Sequence, residues 1–107
     1  MPKYLISASY TAEGTKGVIK GGGGSARRAA ATQAIQSVEG KVEAFYFAFG
    51  EHDAYVLVDA PDNVCAAAIS MAVNSSGAVR VKTTPLLTPE EMDQAARKQV
   101  RYSPPGQ

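Results

Sequence analysis

"KVEAFYFAFGEHDAYVLVDA", residues 41–60, decides the fold. Two runs rich in aromatic and β-branched side chains flank the short polar stretch "GEHD". Such runs read as strands, and the break between them reads as a hairpin turn. The strands are expected over residues 41–50 and 53–60. Both faces of both runs are apolar. In the first, Val42, Ala44, Tyr46 and Ala48 alternate with Phe45, Phe47 and Phe49; in the second, Ala54, Val56 and Val58 alternate with Tyr55 and Leu57. A sheet covered by helices on one side ordinarily turns polar residues to the other. Here the second face also needs cover, and a second copy of the chain is the simplest partner. Self-association is expected through the face carrying either Phe45 and Phe47 or Val42, Ala44 and Tyr46.

Upstream of the hairpin, residues 3–10 alternate apolar and small polar side chains and read as a strand. Residues 11–20 have helical character, weakened by Gly14 and Gly17. Gly21 to Gly24 should interrupt it, since a glycine inside a helix costs about 1 kcal/mol against alanine. Ser25 is then expected to cap a helix over "SARRAAATQAIQSVEG". Ala31, Ala34, Ile35 and Val38 share one face of it, and Gly40 stands as its stop.

Downstream, Pro61 and Asp62 open a helix, "NVCAAAISMAVNSS", that Gly77 ends. Residues 78–84 read as a fourth strand. In "LTPEEMDQAARKQV", Thr88 is an N-cap, Pro89 takes the first helical position, and Glu91 completes a capping box. The tail "YSPPGQ" cannot continue a helix. The order βαββαβα defines an α+β chain. Its first six elements match the ferredoxin-like, split βαβ arrangement, and a further helix follows at the C-terminus. The product is a four-stranded antiparallel sheet with two helices on one face. A single domain is expected over residues 1–99, with a tail over 100–107.

A chain of 107 residues suits one domain, and a hydrophobic fraction of 45% can build a core. The formal net charge of +1 favours neither nucleic acid nor a membrane as partner. The single cysteine, Cys65, cannot form an internal disulfide, which fits a reducing cytoplasm. The start, "MPKYLISASY", lacks a signal peptide's apolar core, and no run approaches the roughly 20 apolar residues of a membrane span. A soluble cytoplasmic protein is expected.

"IKGGGGSARR", residues 19–28, raises a chemical question. It is no Walker A loop, because no Lys-Ser or Lys-Thr follows the last glycine. It is no dinucleotide fingerprint either, because some ten helix-like residues separate it from the strand. The leading reading is a mobile break between helical pieces. The alternative is an anion site at Ser25, Arg27 and Arg28, since the arginines sit in a first helical turn whose dipole disfavours positive charge.

His52 is the only histidine. No Cys, His or carboxylate group has metal-ligand spacing around it, so no metal is expected. The candidates for catalysis are His52, Tyr10 and Tyr46, with no partner for His52 visible in its neighbourhood. Tyr4, Tyr10, Tyr46 and Tyr55 are expected in the core or an interface, some of them lining a pocket between helices and sheet. Cys65 is expected as a buried structural thiol. Arg80 and Lys82 alternate with Val79 and Val81, as an exposed face or the charged rim of an oligomer contact.

"GKVEAFYFAFGEHDAYVLVDAPDN" together with "SGAVRVKTTPLLTPEEMD" resembles the GYD domain family of small bacterial proteins. The resemblance runs from Met1 through Asp93. The family's Gly-Tyr-Asp signature falls in the hairpin, where this chain reads Gly50-Glu51-His52-Asp53, with histidine in place of tyrosine. The resemblance implies the dimeric α/β-barrel superfamily, in which two ferredoxin-like subunits pack sheet against sheet. It implies a fold rather than an activity; the superfamily it implies often uses a cavity between helices and sheet for small organic molecules or haem, whereas no cofactor is expected for this chain. The expected function is that of a self-associating protein that binds a small ligand without established catalysis. Two alternatives stand beside it. One is a cofactor-independent oxygenase or isomerase acting on a small aromatic metabolite, by analogy with the superfamily. The other is a structural assembly unit. An enzyme should have a pocket with convergent polar groups, and an assembly unit a filled core and large interfaces.

Overall fold

The computed structural model describes residues 1–106. In chain order its elements are β1 (Lys3–Tyr10), α1 (Ala12–Lys20), α2 (Gly24–Gln36), β2 (Lys41–Phe47), β3 (Ala54–Asp59), α3 (Asn63–Ser75), β4 (Val79–Leu86) and α4 (Pro89–Ala96). The strands form one sheet in the order β2-β3-β1-β4, every neighbour antiparallel. This is the ferredoxin-like arrangement with an added C-terminal helix.

Strand alternation divides the sheet into two faces. Tyr4, Ile6 and Ala8 of β1 and Ala54, Val56 and Val58 of β3 are buried beneath the helices. Ile35 of α2, Ile69 of α3 and Ala60 join them in the core. Tyr4 is 1% exposed, and its hydroxyl donates to Asn63 Oδ1 at 2.6 Å, so its polar tip is satisfied where it is buried. The other face carries Leu5, Ser7 and Ser9 of β1, Tyr55 and Leu57 of β3, and Arg80, Lys82 and Thr84 of β4, and no helix covers it.

The middle strands depart from simple alternation. Val42 pairs with Val58, and Ala44 pairs with Leu57, so Glu43 is an extra residue in a β-bulge. The bulge reverses the facing of everything before it. Val42 therefore shares the helix side with Phe45 and Phe47, while Ala44 and Tyr46 face the uncovered side. The expected grouping of Val42 with Ala44 and Tyr46 is corrected by this one residue. The connection is also longer than "GEHD". β2 ends at Phe47, residues 48–53 form the loop, and Phe49 projects wholly into solvent. The Ala48 N–H donates to Asp53 O, and the Asp53 N–H donates to Ala8 O, both at 2.8 Å.

The first crossover is two helices joined at the glycine run by a hydrogen-bonded turn. The Gly21 N–H donates to Gly17 O at 2.8 Å and the Gly23 N–H to Val18 O at 2.9 Å. Gly22 and Gly23 have φ of 100° and 80°, a region that side chains disfavour. α2 starts at Gly24 with Gly23 at its N-cap, so Ser25 lies inside the first turn and does not cap it. The left-handed residue after α2 is Glu39, φ 64°, and not Gly40. Gly14 fixes where α1 sits, because a Cβ there would lie 1.9 Å from the Ala78 carbonyl oxygen.

α4 begins as the sequence indicates. Thr88 Oγ1 accepts the Glu91 N–H at 3.1 Å, and Glu91 Oε1 accepts the Thr88 N–H at 2.8 Å. Yet no residue of α4 is buried. The radius of gyration is 16.9 Å, against about 13 Å for a compact chain of this length.

Candidate functional site

A cavity of about 110 Å³ lies between the helices and the sheet. Its floor is Ile6, Ala8, Val56 and Val81 of the strands, with Phe45 from β2. Ala30, Ala31, Ala34 and Ile35 of α2 form one wall, and Ile69 and Val73 of α3 form another. The alanines explain the space. They let α2 approach the sheet, yet three short side chains on one face leave the interior unfilled. A gap in a core forfeits dispersion contacts, and natural cores keep few of them.

Two polar side chains reach this apolar chamber, Tyr10 and Arg27. The Nε of Arg27 is buried and has no hydrogen-bond partner. Among the described residues Arg27 makes no ion pair, and no carboxylate lines the cavity. Leaving a buried polar group unsatisfied costs roughly 1–3 kcal/mol. The first turn of α2 adds to the imbalance, since it contains no acidic residue and no side-chain cap.

The three residues expected at an anion site are divided by the helix. Arg27 lines the cavity. Ser25 and Arg28 line a shallow surface depression with Gly24, Phe45 and Phe47. Phe45 borders both spaces, and its ring centroid lies 5.1 Å from that of Phe47.

The sheet likewise separates the candidates for catalysis. Tyr10 lines the cavity, whereas Tyr46 is 72% exposed on the uncovered face. His52 is on the uncovered side, edge-on to Tyr55 with ring centroids 5.7 Å apart. Its Nδ1 lies 3.3 Å from Ser9 Oγ, a partner 43 residues distant and invisible in local sequence. Its Nε2 lies 4.0 Å from Glu51, whose side chain is 86% exposed. A nucleophile–base pair needs a closer contact and a third group that holds the base. Glu51 holds no second contact to His52, and the Ser9 contact joins the hairpin to β1.

Cys65 is partly exposed rather than buried. The Asp62 carboxylate, bonded to both the thiol and the Cys65 N–H, pushes the thiol above its ordinary value of 9.0. Among the described residues no cluster of His, Cys, Asp and Glu could hold a metal, and no helix is long and apolar enough to cross a membrane.

The four-stranded antiparallel sheet in the order β2-β3-β1-β4 makes this an α+β, ferredoxin-like chain. It belongs to the GYD domain family, whose domain it matches over residues 4–96. No curated protein and no solved structure matches it.

Proposed function

We propose that this chain is a self-associating protein that binds a small molecule between its helices and its sheet. The apolar cavity of about 110 Å³ carries the proposal. A cavity of roughly 150 Å³ lined by aliphatic side chains stays dry and accepts benzene, so this one suits a ligand of about one ring or a short branched chain. The lining favours binding over acid–base chemistry, because it presents no imidazole and no carboxylate to take a proton. The test is to fill the space. Fluorobenzene, followed by ¹⁹F line broadening, should bind the wild type and not Ala34→Phe. Equal broadening with both proteins would remove the cavity from the function.

Self-association rests on a separate observation. The chain exposes 7702 Å², about 2,000 Å² more than a compact monomer of its mass is expected to show. The uncovered face offers Leu5, Ala44, Tyr46, Tyr55 and Leu57, and the C-terminal arm offers Leu87, Met92 and Tyr102. An eight-residue helix with nothing buried is marginal in water, so a surface outside the protomer is the natural seat for α4. A second copy of the chain, in a cytoplasmic setting, fits both surfaces. Sedimentation at micromolar concentration should give an oligomer that Tyr46→Asp weakens. A wild-type monomer under those conditions would rule it out.

A further inference from the structure

The cavity's one charged group narrows the class of ligand, an inference that rests on the cavity being a binding site. We propose that the ligand is a small apolar carboxylate whose anionic end pairs with the Arg27 guanidinium while its apolar body fills the space above Ile6 and Val56. Four observations converge on this. Arg27 Nε is buried and unpartnered. The chamber it borders is otherwise walled by apolar side chains, with Tyr10 its one further polar neighbour. No carboxylate of the protein lines the chamber to neutralise the guanidinium. The turn of α2 that carries Arg27 holds no acidic side chain, so the local field is positive.

A guanidinium presents donors in a fixed planar fork that matches the two oxygens of a carboxylate. Placing that fork at an apolar chamber selects a molecule that is anionic at one end and hydrocarbon elsewhere. The volume of about 110 Å³ limits the hydrocarbon to about one ring or a short branched chain. Tyr10 lies on the same lining. Bulky or multiply charged metabolites do not fit this combination.

The experiment compares benzoate, its neutral isostere benzamide and fluorobenzene, each titrated calorimetrically or by ligand-observed NMR. The proteins are the wild type, Arg27→Met and Arg27→Lys. Arg27→Met keeps much of the apolar stem and removes the charge. Since it also removes an unpartnered buried group, its thermal midpoint should equal or exceed that of the ligand-free wild type. The wild type should bind benzoate at least tenfold more tightly than benzamide. Arg27→Met should lose that preference while still binding fluorobenzene, and Arg27→Lys should keep part of it. Fluorobenzene binding with no preference for benzoate would overturn the carboxylate assignment and leave the cavity as a neutral site. Binding of none of the three probes would overturn both the assignment and the cavity reading.

Discussion

The carboxylate of Asp53 accepts the backbone N–H of Tyr10 at 2.8 Å. The last residue of the β2–β3 loop thus closes the end of β1, the strand whose Ile6, Ala8 and Tyr10 line the cavity. Asp53→Ala leaves that N–H without its acceptor, and a loss of roughly 1–3 kcal/mol is expected. Asp53→Asn retains an acceptor oxygen and should lose less. Urea unfolding with an unchanged slope measures both.

Two glycines of α1 should respond to alanine with opposite signs. A Cβ added at Gly17 would meet no atom within 4 Å, so Gly17→Ala should stabilise by roughly 0.5–1 kcal/mol through helix propensity. Gly14 is pressed against the Ala78 carbonyl, where a Cβ would lie 1.9 Å from the oxygen. The backbone must shift to admit it, and overpacking of this kind costs about 1–3 kcal/mol. Thermal unfolding of the two variants side by side checks the contrast.

The acid limb of stability should depend on Lys3. Its ammonium bonds Asp59 Oδ1 at 2.9 Å and also contacts Glu43. The bond from Lys3 holds the Asp59 carboxyl below its ordinary value of 3.8, against the opposing effect of burial. A depressed carboxylate contributes stability above its unfolded value and loses it as pH falls through its folded value. The wild type should therefore weaken as pH drops below 3.8, and Lys3→Met should weaken less steeply there. Unfolding midpoints measured across that range test the slope; parallel curves would assign the acid limb to other groups.

Thr88→Ala removes the capping box of α4, worth about 1 kcal/mol to the helix. Because α4 buries nothing in the protomer, the loss should be local. Amide exchange should quicken over residues 89–96, while the core's unfolding midpoint stays in place.

The succession of strands and helices and the cap of α4 are legible because each rests on local pattern: alternation in β1 and β3, and Thr-Pro-x-Glu before a polar helix. The facing of β2 was not, since one bulged residue, Glu43, reverses Val42 against Tyr46. Ser25 looked like a cap because serine commonly is one, but Gly23 can take a positive φ and begins the helix earlier. Arg27 and Arg28 were visible as misplaced charge; that one borders the cavity and the other the surface depends on the helix's rotation over the sheet. A pocket between helices and sheet lined by tyrosine is legible, and Tyr10 lines it; its alanine wall and the place of Arg27 in it are not. Ala31 and Ala34 read as one face of a helix, and only the packed structure shows the volume that they and Ala30 leave. Ser9 and His52 meet across 43 residues, beyond any local signal.

The four isoleucines offer the most direct measurement of the central claim. Ile6, Ile35 and Ile69 line the cavity, whereas Ile19 is 78% exposed on α1. Methyl NMR of isoleucine-labelled protein titrated with fluorobenzene reads all four at once. A ligand in the cavity should shift the methyls of Ile6, Ile35 and Ile69 along one saturable curve and leave Ile19 unmoved. No shift at the three, or shifts that grow equally at Ile19 without saturating, would contradict a binding cavity between the helices and the sheet.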